Sequence, residues 1–163
     1  MTVQQPQDMI VRKETVAVEI RSRTTIVRGD VFIRPHEGAE RGERLIDLLT
    51  TRAFLPLKTP DHMLFLATRH IGWVRLDLLA AIDEIDADAE SDPESCSARL
   101  AVMFADGEHI DGEVRYSMPP NRRRVGDWLE TLRGFFPLRT DDWVYLVNPA
   151  GVAEVSLIEE KRP

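Results

Sequence analysis

Arg44-Leu-Ile-Asp47-Leu-Leu49, followed by Phe54-Leu-Pro56-Leu57-Lys58-Thr59-Pro-Asp61, returns eighty residues later in altered form. The second version reads Arg124-Val-Gly-Asp127-Trp-Leu129, then Phe135-Phe-Pro137-Leu138-Arg139-Thr140-Asp-Asp142. Eight positions are identical and a ninth exchanges Lys58 for Arg139. Chance would supply about one or two matches in so short a window, which points to an internal duplication.

Working outward, each copy is preceded by residues of strand character. Val16, Val18 and Ile20 alternate with Ala17 and Glu19, the period-two pattern of a half-buried strand. Ile26, Val27, Val31, Phe32 and Ile33 form a second run, interrupted by Gly29, a sign of a bulge or of close backbone approach. In the second half Leu100, Val102 and Phe104 alternate, Asp106-Gly107 supplies a hairpin turn, and Ile110, Gly112, Val114 and Tyr116 continue at period two. Gly112 answers Gly29.

The repeated Arg and Asp open short helices. Val125, Trp128, Leu129 and Leu132 make one apolar stripe, as do Leu45, Leu48 and Leu49. The pairs Arg44/Asp47 and Arg124/Asp127 are three apart and can meet on one helical face. Phe54 to Thr59 and Phe135 to Thr140 return to strand, each with a proline that suggests an edge or a bulge. A final strand pair in each copy is bent at Arg69-His70 and at Asn148-Pro149-Ala150-Gly151.

The chain thus divides into a polar, disordered tail (1–13), a first repeat (14–79), an acidic linker (80–97), a second repeat (98–158) and a short tail (159–163). The linker, Asp83 to Glu94, reads as a flexible, solvated spacer. The expected fold is mainly β with short helices (α+β): a tandem, duplicated, small barrel-like β module packed as a pseudo-dimer, each copy covering the apolar side of the other. A unit of this size has little core alone, so pairing supplies burial.

The segments Gly29-Asp-Val-Phe-Ile33, Ala53-Phe-Leu-Pro-Leu57 and Leu64-Phe-Leu-Ala-Thr-Arg-His70-Ile71-Gly-Trp-Val74 resemble the Sm-like family of small barrels. Gly112-Glu-Val114, Phe135-Phe-Pro-Leu138 and Val144 to Val155 repeat the likeness. The resemblance implies five bent strands per copy and RNA contacts in the loop between the middle strands and in the bent last segment. Arg69-His70 stands nearest to the family's basic pair. The chain departs from the pattern by an inserted loop and helix in each copy. It also lacks the Asp-x-x-x-Asn element, has no Arg-Gly pair in the bent last segment, and carries Asn148-Pro149 there in the second copy.

Composition narrows the function classes. The 163 residues carry a net charge of −7, which argues against a dedicated nucleic-acid binder. Cys96 is the lone cysteine, so no intrachain disulfide forms. Its place beside the linker's carboxylates argues against a nucleophilic thiol. No signal-type segment or apolar run of membrane length occurs, and the expected location is the cytoplasm.

No catalytic constellation is legible, and no cofactor or metal is expected. His36, His62, His70 and His109 lack metal-ligand spacing, although His62 and His70 can approach across a bend. Asp47 and Asp127 as a paired-carboxylate site rank below their simpler reading as helix-start acids tied to Arg44 and Arg124. Arg122 and Arg123, with Arg69 and His70, form the candidate polar interaction surface. Trp73, Trp128, Trp143, Phe54, Phe135 and Phe136 suit core or inter-copy packing better than a base-stacking platform. The expected function is therefore a non-enzymatic protein-interaction or scaffold protein. Its partners are another protein or further copies of itself, and an Sm-like RNA-binding protein is the alternative.

Overall fold

The structure is a computed structural model and describes residues 13–23, 25–34, 42–81, 84, 89 and 91–163. The tail and the long first loop of the sequence reading fall mostly outside these residues. Ten antiparallel strands form one sheet. In the first half these are β1 (Glu14–Ser22), β2 (Thr25–Ile33), β3 (Phe54–Lys58), β4 (Met63–Ala67) and β5 (Ile71–Asp77). In the second they are β6 (Cys96–Phe104), β7 (His109–Tyr116), β8 (Phe136–Arg139), β9 (Trp143–Val147) and β10 (Val152–Lys161). Helices α1 (Leu45–Thr51) and α2 (Val125–Leu129) precede β3 and β8.

The sheet runs β10-β6-β7-β8-β9-β5-β1-β2-β3-β4. Each half has the same internal order, its fifth strand lying beside its first. The halves join edge to edge through five β5–β9 residue pairs, from Trp73↔Val147 to Asp77↔Trp143. The sheet is open: β4 and β10 each have a neighbour on one side only.

Alternation builds the ladders as the sequence predicts. Ile110, Gly112, Val114 and Tyr116 point inward along β7, with polar residues between them. Gly107, at φ +89°, closes the β6–β7 hairpin, a conformation that glycine adopts without steric cost. Gly29 and Gly112 mark close approach and no bulge, because the register runs regularly through both. A Cβ on Gly29 would stand 2.5 Å from the Lys58 carbonyl oxygen, and one on Gly112 2.8 Å from that of Arg139. At these crossings β2 meets β3 through the single pair Asp30↔Lys58, and β7 meets β8 through Glu113↔Arg139.

That single-pair contact explains the prolines. Pro56 and Pro137 lie on interior strands, contrary to the edge or bulge expected. The preceding strand has diverged before reaching either one, so their missing N–H groups break no ladder on that side.

Two cores result. One gathers Val18, Ile20, Leu45, Leu49, Leu55 and Leu57 around α1; the other gathers Leu100, Val102, Tyr116, Phe136 and Leu138 around α2. The expectation that each copy covers the apolar side of its twin is corrected here: each half fills its own interior, and the exchange is local. Val144 and Leu146 enter the first core, with Phe135 packed against it, while Trp73 enters the second. An edge-to-edge joint cannot stack two faces, so only residues beside the seam can cross.

Much of the acidic stretch lies outside the described residues, and three of its described carboxylates are bonded to the fold. Glu84 is buried and accepts hydrogen bonds from the Leu45 and Ile46 amides at 2.5 and 2.8 Å. These are open donors at the start of α1, whose preceding residue Arg44 offers no side-chain cap. Further along, Asp92 accepts from the Ser117 hydroxyl and Glu94 pairs with Arg123. Cys96 is also reassigned: it opens β6, fully buried, and burial first, with the nearby Glu160 and Asp92, raises its thiol pKa against the opposing pull of Arg123 and Arg162.

Candidate interaction surfaces

The seam is built from charge as well as backbone. Arg21 reaches across it to Asp106 at 2.5 Å and Glu108 at 2.7 Å, and the Trp73 indole N–H donates to Glu108 at 3.2 Å. The Asn148 amide donates to the Gly72 carbonyl, and its side chain to that of Ile71. On another part of the seam, Arg75 lies 4.2 Å over the Trp143 ring and 2.9 Å from Glu19, which also binds Arg28 at 2.7 Å. Burial would raise the Glu19 carboxyl, but the two guanidiniums hold it below its ordinary value. This chain of ion pairs borders a cavity of about 470 Å³ between Ala17, Gly29, Lys58 and Trp143.

A smaller cavity, about 190 Å³, opens between the bent segments of the two halves. Arg23, Arg69 and His70 face Asp106, Asn148 and Gly151 around it. Arg69 Nε–H donates to His70 Nε2 at 3.3 Å, and Arg23 Nη2 lies 3.2 Å from the same nitrogen. For both guanidiniums to approach, Nε2 must present its lone pair. Partial desolvation and then the two cations accordingly lower the His70 pKa. No carboxylate pairs with Arg23 or Arg69 among the described residues.

The residues singled out from sequence separate. Arg69 and His70 line this seam cavity, whereas Arg122 and Arg123 lie in the loop after β7 and do not. Arg123 is committed to Glu94 at 2.7 Å; Arg122 is exposed. Arg44 pairs with Asp47 at 2.9 Å as expected, but Arg124 makes no such pair with Asp127 among the described contacts. Neither aspartate lines either cavity. His62 and His70 sit at opposite ends of β4, which parts them, and no metal-holding group occurs among the described residues.

The aromatics are mostly structural. Trp128 stacks on Tyr116 and meets Phe136 edge-on; Trp73 meets Tyr145 edge-on. Phe54, 55% exposed, and Phe65, 65% exposed, are the exceptions among the described residues. No helix among the described residues is long and apolar enough to cross a membrane. No family model, curated protein or solved structure matches the chain.

The free strands β4 and β10 carry the features that residue-by-residue reading misses. Phe65 and Met63 on β4, and Leu157 and Ile158 on β10, are four of the eight exposed large apolar residues among those described. In the sequence both segments read only as parts of a final, bent strand pair. Only the strand order reveals that both strands end the sheet.

Proposed function

We propose that this chain is a non-enzymatic interaction scaffold, made of one small β module written twice, that works through its two unpaired sheet edges. The supporting observation is the pair of free strands with apolar side chains set along them. Such an edge presents unpaired N–H and C=O groups and templates the addition of another strand. The duplication rests on the repeated sequence, the common strand order of the halves and the paired glycines at equivalent crossings. The test is to charge both edges at once, Phe65→Lys with Leu157→Lys, in a tagged chain expressed at its natural level. Loss of the complexes seen by native mass measurement supports the reading; unchanged complexes end it.

One observation favours a second reading, an Sm-like RNA-binding role. Arg23 and Arg69 converge on a neutral imidazole beside an open cavity, a setting that suits a phosphate. A gel shift with single-stranded RNA at low salt that is lost in Arg69→Ala would support it; no shift at low salt removes it.

A further inference from the structure

The seam inside the chain is a template for a seam between chains. Equivalent positions in the halves are fixed by the register. Gly29 lies opposite Val18, and Gly112 opposite Leu100. Two residues on, Ile20 pairs with Val74 of β5, and Val102 with Val155 of β10. Val155 is thus the counterpart of Val74, and Leu157 of Leu76. On the other side, Lys58 pairs with Met63 and Arg139 with Val144. Met63 is the counterpart of Val144, and Phe65 of Leu146.

Within the chain, Val74 pairs with Leu146 and Leu76 with Val144. All four are at most 1% exposed. Their counterparts on the free edges are not so covered: Phe65 is 65% exposed, Met63 43% and Leu157 50%. Apolar side chains like those that the internal seam buries are therefore present on both outer edges, in matching register; Val155 is half-buried against the second core, and the other three face solvent.

We infer that β10 of one copy pairs antiparallel with β4 of the next, setting Leu157 against Met63 and Val155 against Phe65, so that the chain assembles head to tail with itself. This rests on the edge-scaffold reading and names a second copy as the occupant. Charge agrees with the geometry. In the internal seam the β6–β7 hairpin offers Asp106 and Glu108 to Arg21 and Trp73. At the new joint the corresponding β1–β2 hairpin offers Arg23, which has no carboxylate partner among the described residues, and the counterpart of Trp73 is the exposed Glu154. Arg21 itself is answered by the uncharged Met103, so the new joint offers one complementary pair, Arg23 with Glu154. A joint between two different edges is heterologous: it closes into a ring when the rotation per copy allows, or continues as a filament. Closure would leave no free edge.

The test uses the full chain and two single substitutions, Phe65→Lys and Leu157→Lys, at exposed positions, with melting temperature as the folding control. Native mass and sedimentation should show wild type larger than a dimer and each variant alone a monomer. An equal mixture should give a dimer and nothing larger, since only one good β10 and one good β4 remain to meet. A monomeric wild type at every concentration up to its solubility limit overturns the inference. So does a dimer of either variant alone, which would mean like edges pair. If wild type is monomeric but captures another protein in an edge-dependent way, self-assembly fails while the scaffold reading stands. If edge charges alter neither, both fail.

Discussion

The two halves share a strand order, yet their end strands lead different lives. β9 is held between β8 and β5, and its Val144, Leu146 and Val147 are fully buried; β4 holds the equivalent place beside β3 with nothing beyond it, and Phe65 lies open to solvent. The same contrast separates β5 from β10. Local sequence makes these strands alike, apolar and extended. What differs is whether a partner strand exists, and burial follows the partner.

The largest expected effect breaks this equivalence directly. Leu146→Ala should destabilise the chain by about 2–5 kcal/mol, because the side chain is fully buried in the seam and its loss leaves a cavity. Phe65→Ala, at the matching position, should change monomer stability by no more than about 0.5 kcal/mol. Chemical denaturation in dilute solution checks both. Equal costs at the two sites would mean that β4 is already covered in the monomer.

The helix starts sharpen the comparison. Each takes a carboxylate from the C-terminal end of its own half: Glu84, after β5, for α1, and Glu160, near the end of β10, for α2, where it accepts from the Val125 amide at 2.7 Å. Glu84→Ala should cost about 1–3 kcal/mol, since two amide donors lose a buried acceptor. The two differ in titration. Burial pushes the Glu84 carboxyl above its ordinary value despite its amide partners. Glu160 also meets a desolvation cost, but the Val125 amide, Arg162 and the Tyr116 hydroxyl outweigh it and hold the carboxyl down.

The pH dependences therefore run in opposite directions. The stabilisation linked to Glu84 protonation is present below the unfolded carboxyl pKa and is lost as pH rises through the higher folded value. That linked to Glu160 is present above the unfolded pKa and is lost as pH falls through the lower folded value. Stability of Glu160→Gln relative to wild type should thus improve on acidification, and that of Glu84→Gln should worsen. Paired melting curves across the carboxylate range read the sign, and parallel slopes would contradict the difference in environment.

The smallest effect concerns the repeated Arg/Asp motif. Arg44→Ala should cost no more than about 0.5 kcal/mol, because its pair with Asp47 is exposed. Arg124→Ala should cost less, lacking that pair. Thermal melts of the two variants compare them.

Most of the local architecture is legible before any coordinates. The alternation of β6 and β7, the Asp106-Gly107 turn and the apolar faces of both helices follow from residue period alone. The proline positions mislead because a strand that diverges from its neighbour has no signature in its own residues. Glu84 hides for a similar reason. Within an acidic run it looks solvated, and its role depends on amides thirty-eight residues and more away in sequence. The basic surface divides because Arg123 finds Glu94, and no spacing rule announces that encounter.

By itself the sequence determined which segments extend, which coil into helices and where two like stretches recur, since those depend on side-chain period and backbone steric preference between near neighbours. The tertiary structure alone decided which strand lies beside which. That choice settled that β5 meets β9 while β4 and β10 remain open, because pairing is a contest among distant segments with nearly the same apolar pattern, and only packing in three dimensions resolves it.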